Sequence, residues 1–239
     1  MKKFLKYLFL ILLVVASILA FPELIYKNRG KSKAIGSVGN GSLENPYLMP
    51  YSGKNFRYFS PLSYYILDDA YLHSKVYATL LAAYQECEKT CEGVKFRVME
   101  CANKDGGKMW LHRTHQNGLS VDFMVPKKSG SKQTKWLDRL GLWHYLLEFT
   151  DEGESKLNQS IEIDFETMGK HILALDRAAR ANGLKINKVI LKIELKDDFY
   201  ATASGKKVKQ KGIYFARSLS NIVNRVHDDH YHIDFEIVQ

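Results

Sequence analysis

The chain has 239 residues, of which 46% are hydrophobic and 26% charged, with 16 glycines and 5 prolines. This composition excludes a disordered, collagen-like or multi-span membrane protein, and it is typical of one main folded domain. The net charge is +9, but residues 1–33 contain seven lysines and arginines against one acid, so six of these charges lie at the amino terminus. A nucleic-acid-binding surface is therefore not expected.

The amino terminus has the pattern of an export signal. A basic start, Met1-Lys2-Lys3, precedes an apolar stretch without charge at residues 8–21. Such a stretch is short for a membrane span, which needs about 20 residues, and it fits the hydrophobic region of a signal peptide. The pattern predicts either a cleaved signal peptide or an uncleaved signal anchor.

This segment sets the expected domain organisation. We expect residues 1–26 to be the signal or anchor, residues 27–39 a tether, and residues 40–239 the folded domain. The domain is then periplasmic or elsewhere in the cell envelope, secreted or associated with the inner membrane through its amino terminus. No oligomeric state is predicted.

The first part of the domain combines one helix with short strands. Apolar residues at spacings of three and four predict an amphipathic helix over residues 72–87. Alternation predicts a strand over 94–98, and a second strand is predicted over 119–125. The polar, lysine-rich residues 126–135 are expected to form a loop.

An inserted hairpin and a second helix are predicted next. Alternation over residues 143–149, resumed at 161–163, favours a hairpin over a helix. Asp164 is the predicted N-cap of a helix that carries Met168, Ile172, Leu175 and Ala179 on one face, and Gly183 is its predicted end.

The carboxyl-terminal part completes the fold class. A third core strand is predicted over 189–195, a basic loop over 206–211, and the last strand over 231–238. Helices and strands are interspersed without regular βαβ spacing. The fold class is therefore predicted to be α+β, with a mostly antiparallel sheet.

Three cysteines, Cys87, Cys91 and Cys101, are compatible with an oxidising compartment and leave one without a partner. A disulfide between Cys91 and Cys101 fits the spacing, whereas Cys87 and Cys91 lie one helical turn apart, where bridge geometry is poor. The pairing stays open. A cysteine zinc site is not expected, because the chain has no second closely spaced cysteine pair.

Five of the eight histidines lie in two short clusters. The first contains His112 and His115, ahead of Asp122. The second lies near the carboxyl end and contains His227, His230 and His232. The turn signal Asn117-Gly118 places His115 on a loop and Asp122 on the following strand. In the second cluster, strand alternation places His230 and His232 on one face, while Tyr231, Ile233 and Phe235 face the core.

These donor types predict a zinc site. Imidazole nitrogen and carboxylate oxygen suit Zn²⁺, and a catalytic zinc typically takes about three protein ligands and one water. The predicted ligands are His115, Asp122 and His232. The remaining histidines, His73, His144 and His171, are assigned no role, since a lone histidine is most often a surface or satisfied core residue.

The two clusters together resemble a known superfamily. The spacing from His115 to Asp122, followed by His230-Tyr231-His232, is similar to the signature of the lysostaphin, D-Ala-D-Ala metallopeptidase and hedgehog superfamily. The closer resemblance is to the penicillin-insensitive murein endopeptidases, which have a histidine three residues before the first ligand and an HxxHxH ending. Here these are His112 and residues 227–232. Residues 41–45 are also similar to that family's opening.

The resemblance covers roughly residues 40–239 and implies the fold of that superfamily, a small antiparallel sheet flanked by helices. It also implies a Zn²⁺ cofactor and the peptides of bacterial peptidoglycan as substrate. It implies the same three ligands and places His230 and His227 beside them as catalytic histidines, with His112 next to the first ligand. His230 is the first choice for the general base, and His227 for stabilising the tetrahedral oxyanion. Asp229 is a rival base, because the superfamily's D,D-dipeptidases place an acid three residues before the last ligand.

Three functions remain open on the sequence. The first is a zinc endopeptidase that cuts murein cross-links or stem peptides. The second is a D,D-carboxypeptidase on the same wall peptides. The third is a non-catalytic module that keeps zinc and binds the cell wall. The basic residues 206–211 are interpreted as a solvated face, with no nucleic-acid partner.

Overall fold

The structure, a computed structural model, describes residues 2–110 and 112–238, and it leaves the side chains of residues 18–24 undescribed. The described residues form seven α-helices, which are α1 (Lys2–Ile25), α2 (Pro61–Tyr65), α3 (Ser74–Thr90), α4 (Phe165–Ala181), α5 (Lys196–Ala201), α6 (Ala203–Gln210) and α7 (Asn221–Arg225). Two 3-10 helices span Gly141–Leu146 and Ile193–Leu195.

The same part of the chain forms twelve short strands. They are β1 (Lys33–Ser37), β2 (Asn40–Glu44), β3 (Tyr47–Leu48), β4 (Phe56–Tyr58), β5 (Tyr71–Leu72), β6 (Phe96–Val98), β7 (Ser120–Met124), β8 (Lys127–Ser129), β9 (Lys132–Thr134), β10 (Glu162–Ile163), β11 (Leu184–Ile190) and β12 (His230–Ile237). The fold is mixed, with small sheets and helices, and it is compatible with the predicted α+β class.

The central sheet has five strands in the order β11-β12-β7-β6-β4. All neighbours in it are antiparallel except β4 and β6, which are parallel. Helices α3 and α4 pack against each other. The predicted apolar face of α4 is confirmed, since its four residues are fully buried: Met168, Ile172, Leu175 and Ala179.

The predicted start of α4 is also confirmed. The Asp164 carboxylate accepts a hydrogen bond of 3.0 Å from the Thr167 backbone N–H, which satisfies one of the free donors at the helix start. On the sheet side of the core, the Tyr231 hydroxyl lies 2.6 Å from His171 Nδ1. His171 is therefore a hydrogen-bonded core residue, as expected.

Several local predictions are wrong. Residues 126–135 form the hairpin of β8 and β9 rather than a loop, and residues 143–149 begin in a 3-10 helix rather than a strand. The predicted basic loop at 206–211 lies largely in α6, because the Thr202 hydroxyl accepts from the Gly205 N–H and the alanine and lysine residues that follow favour a helix. The strand predicted over 189–195 ends at Ile190.

All three cysteines are buried and free, so the structure forms no bridge between Cys91 and Cys101. At the amino terminus, the large apolar side chains from Phe4 to Val15 are exposed on α1. Strand β1, which falls in the predicted tether, pairs antiparallel with β2. A search of the described residues for a helix both long and apolar enough to cross a membrane finds none. Export remains a prediction.

Candidate metal centre

The pairing of β7 with β12 brings the two sequence clusters together. His232 lies directly opposite Asp122 in the antiparallel register, and His230 lies opposite Met124. The intervening Tyr231 and Ile233 are fully buried on the other face of the strand. Alternation along β12 therefore places both histidines on the face that carries Asp122, as predicted.

His115 reaches the same point from the loop before β7. The turn at Asn117-Gly118 returns the chain into the strand, and Gly118 has φ +73° with a virtual Cβ only 2.7 Å from the His73 backbone nitrogen. Only glycine fits this turn. His115 itself has φ 72° and is 1% exposed. A histidine held in this uncommon conformation and buried among polar groups is typical of a functional site.

The three predicted ligands meet around the Asp122 carboxylate. His115 Nε2 lies 3.1 Å from Asp122 Oδ2, and His232 Nδ1 lies 2.7 Å from Oδ1. His112 Nδ1 is farther away, 3.7 Å from Oδ2. All four side chains are largely or fully buried, so these groups form one enclosed cluster.

These His and Asp groups could hold a metal ion. Bonds of about 2.0–2.1 Å in a tetrahedral site put neighbouring ligand atoms roughly 3.3 Å apart, close to the 3.1 Å between His115 and Asp122. Donor atoms of His112, His115 and Asp122 also lie within 4.8 Å of one another. His232 is not part of that group, and its contact with the cluster is the 2.7 Å from its Nδ1 to Asp122 Oδ1. His112 and His232 are therefore the two candidates for a third donor, and they differ in how they are held.

A carboxylate lies behind the His232 ring and orients it. Its Nε2 lies 2.6 Å from Asp234 Oδ1, and that oxygen also accepts a 2.6 Å hydrogen bond from the Ser120 hydroxyl. Lys188 Nζ is 2.8 Å from Asp234 Oδ2. A carboxylate on the far ring nitrogen is what metal-binding histidines typically have, because it fixes the ring and its tautomer.

The charges in this cluster depend on one another. Burial would lower the pKa of His232, but Asp234 and Asp122 raise it to about 10. Burial likewise opposes ionisation of Asp122, yet the facing His115 and His232 hold its pKa well below its ordinary value. The two carboxylates therefore favour a protonated His232, and a cation that binds this ring must displace a proton.

A second triple of donors, His144, Asp229 and His230, lies beside the first. Asp229 accepts from His230 Nδ1 through Oδ1 and from His144 Nδ1 through Oδ2, both at 2.6 Å. Burial would lower the pKa of His230, and Asp229 raises it above its ordinary value. His144 was assigned no role from the sequence. No spacing signal could have found it, since it lies on the 3-10 helix Gly141–Leu146, far along the chain from both clusters.

His227 is held differently from His230. Its Nδ1 lies 2.6 Å from the Val223 carbonyl oxygen, which only accepts, so Nδ1 carries the proton. Burial, with the neighbouring His230, lowers the pKa of His227 to about 3. The ring is therefore neutral and offers a lone pair at Nε2. This does not favour the oxyanion-stabilising role predicted for His227, which needs a donor at that nitrogen.

A groove of about 730 Å³ lies next to the cluster and shares His112 with it. Two tryptophans on its rim, Trp110 and Trp143, are 77% and 69% exposed. The groove also contains the Arg139 guanidinium and two carboxyl groups, those of Asp69 and Glu100. It combines apolar surface with one cation and two carboxyl groups.

One of these carboxyl groups gives a stability prediction. Burial raises the pKa of Asp69 to about 7, against a weak hydrogen bond from Ser63 that lowers it. The folded state then holds the proton more tightly than the unfolded state. The free energy of unfolding should therefore fall as pH rises from about 4 to about 7, by at most about 1.4 kcal/mol per pH unit for this proton.

Asp69→Asn should reduce that slope, measured by urea unfolding at several pH values. The matched control is Asp198→Asn, which changes an exposed carboxylate on α5 and should keep the slope of the unmodified protein. An Asp69→Asn protein with an unchanged slope would contradict the assignment.

Comparisons with known proteins give no family for this chain. No protein-family model matches the sequence, and no curated protein matches it.

Proposed function

We propose that this protein is a zinc-dependent peptidase that hydrolyses peptide cross-links or stem peptides of bacterial peptidoglycan, in the manner of a murein endopeptidase of the superfamily it resembles. One observation carries the proposal. His115 Nε2 and His232 Nδ1 face the two oxygens of one buried carboxylate, Asp122, and Asp234 holds the far nitrogen of His232. Two histidines and one carboxylate are the donor types of a catalytic zinc site with three protein ligands, which supports the proposal.

His115, Asp122 and His232 would hold the ion. When bound, zinc supplies a Lewis acid that polarises a peptide carbonyl group and acidifies water. The protein must then accept a proton from that water and later return one to the leaving amine.

His230 is best placed to move this proton. Its Nδ1–H is held by Asp229, so the lone pair is at Nε2, and the carboxylate makes the ring more basic. Once protonated, His230 is a cation next to the metal ligands and stabilises developing negative charge. His227, neutral and low in basicity, is better suited to accept a hydrogen bond at Nε2 than to donate one.

Asp229 is better suited to position His230 than to act as the base. Both of its oxygens accept hydrogen bonds from histidine Nδ1 atoms, one from His230 and one from His144. The two histidines also hold its pKa below the ordinary value against the effect of burial. A carboxylate occupied in this way fixes the tautomer of its histidine neighbours.

The groove beside His112 is consistent with the proposal that the substrate is a peptide. Its exposed tryptophans offer flat apolar surface, and Arg139 offers a cation for a carboxylate of the peptide. Peptidoglycan peptides lie outside the cytoplasm, which agrees with the export signal proposed for residues 1–26 and with a periplasmic or cell-envelope location.

Digestion of purified murein tests the function. The zinc-loaded protein should convert cross-linked muropeptide dimers to monomers, a chelator should stop the conversion, and added zinc should restore it. The products distinguish the alternatives. Release of free D-Ala without loss of dimers favours the D,D-carboxypeptidase, and binding to sacculi with unchanged peptide composition favours the non-catalytic module.

A further inference from the structure

A second cavity, which we call the basic cavity, lies at the hairpin of β8 and β9. It has a volume of about 290 Å³ and shares no lining residue with the groove beside His112. Its walls come from the start of β6 and the residues before it, the β7–β8 connection, strand β9 and the loop that follows. The charged side chains that line it are Lys95, Arg97, Lys127, Lys135 and Asp138.

Two of these cations are buried. Arg97 is 5% exposed and Lys127 is 1% exposed. Lys127 Nζ lies 2.7 Å from Asp138 Oδ1, and Arg97 Nε lies 3.2 Å from Asp138 Oδ2. Neither contact has hydrogen-bond geometry, and Arg97 Nη1 also has no acceptor among the described residues. Both cations are ion-paired with Asp138, but Arg97 Nη1 and part of the donor capacity of the two side chains stay unused. Unused buried charged donors are costly, so a further acceptor is expected here.

The charges of the basic cavity do not balance. Four cations face one acid among the described residues that line it, which leaves three positive charges. Lys95 donates to the Gly53 and Lys54 carbonyl oxygens, which satisfy its hydrogen bonds and leave its charge uncompensated. The surroundings of Arg97 also disfavour its positive charge. Burial lowers the pKa of Arg97, Asp138 raises it, and the neighbouring Arg57 and Arg139 lower it further.

We propose that the basic cavity binds a phosphate group, either free phosphate or the phosphoryl group of a phosphomonoester. A phosphate dianion neutralises two of the three excess charges, whereas a carboxylate neutralises one. The guanidinium of Arg97 and the ammonium of Lys127 supply the charge-assisted donors that phosphate oxygens accept. The site is independent of the metal centre and of the proposed peptidase activity.

Calorimetric titration of the full chain with inorganic phosphate, at constant pH and ionic strength, tests the proposal. Saturable binding at one site is expected. Lys127→Met should weaken it at least about tenfold, and the remaining Arg97–Asp138 pair is neutral, which favours folding of the variant. Lys135→Ala changes an exposed residue and should weaken binding about threefold without risk to the fold.

The matched control is Lys132→Ala, an exposed lysine on the same hairpin that does not line the cavity, and it should bind phosphate like the unmodified protein. Glycerol phosphate identifies the source: tighter binding than inorganic phosphate supports a phosphomonoester, and equal binding supports free phosphate. No saturable binding of either probe would overturn the proposal. So would acetate binding as tightly as phosphate, or equal binding by the Lys127→Met and Lys135→Ala proteins.

Discussion

Replacement of His230 by glutamine is expected to lower the rate of peptide hydrolysis by about 10²–10⁴-fold, the usual contribution of a general base, while zinc stays bound. His230 is paired through Nδ1 with Asp229, and it is not among the three side chains that meet at the proposed metal position. The variant should therefore separate proton transfer from metal binding. The measurements are the hydrolysis rate on cross-linked muropeptides and the zinc content of the same preparation.

His73→Asn is the matched control for this variant. His73 is also a buried histidine, but it lies outside the cluster and accepts a hydrogen bond from the Lys75 N–H at the start of α3, a role that asparagine can keep. Its rate should stay within about twofold of the unmodified protein, because asparagine keeps the helix cap and the residue lies outside the cluster. A His230→Gln protein that hydrolyses as fast as this control would refute the assignment of the base, and loss of zinc would make His230 a ligand.

Replacement of Asp234 by alanine is expected to weaken zinc binding by about 10–100-fold, the usual effect of removing a carboxylate that orients a metal-bound histidine. Asp234 holds His232 Nε2 at 2.6 Å, and Ser120 and Lys188 hold Asp234 in turn. Without it, the His232 ring is free to turn and its Nδ1 is no longer aimed at Asp122. Competition with a chromophoric chelator measures the affinity.

Glu236→Ala is the control, because this acid lies two residues further along β12 and pairs with Lys185 at the surface. Its zinc affinity should match that of the unmodified protein. Equal affinities in the Asp234→Ala and Glu236→Ala proteins would show that Asp234 does not support a ligand, and would favour His112 over His232 as the third donor.

Hydrophobic periodicity correctly predicted the part of the site that depends on a single strand, the direction of the side chains along β12. Successive residues of β12 face opposite sides of the sheet. The sequence alone therefore predicts that His230 and His232 share one face, and that the buried Tyr231 and Ile233 share the other. The register that puts His232 across from Asp122 is a contact between residues 110 positions apart. Local pattern does not determine such a register. The sequence predicted only that His115, Asp122 and His232 converge, and that prediction came from the donor chemistry and the resemblance.

Other features depend on tertiary context that no local pattern records. His144 reaches Asp229 only because residues 141–146 adopt a 3-10 helix, although the alternation of Trp143 and Tyr145 suggested a strand. The basic residues of α6 were predicted to form a loop because of their charge. They form a helix instead, which begins at the Thr202 cap. The basic cavity combines β6 with the β8–β9 hairpin, so its excess charge is visible only in the folded chain.

Metal analysis of the unmodified protein and of Asp122→Ala tests the central claim most directly, with Asp198→Ala as a control for the loss of an exposed carboxylate. After loading with zinc and removal of the excess, the unmodified and control proteins should retain about one equivalent, and the Asp122→Ala protein should retain none. An unmodified protein that binds no zinc, or an Asp122→Ala protein that binds as much, would contradict the account.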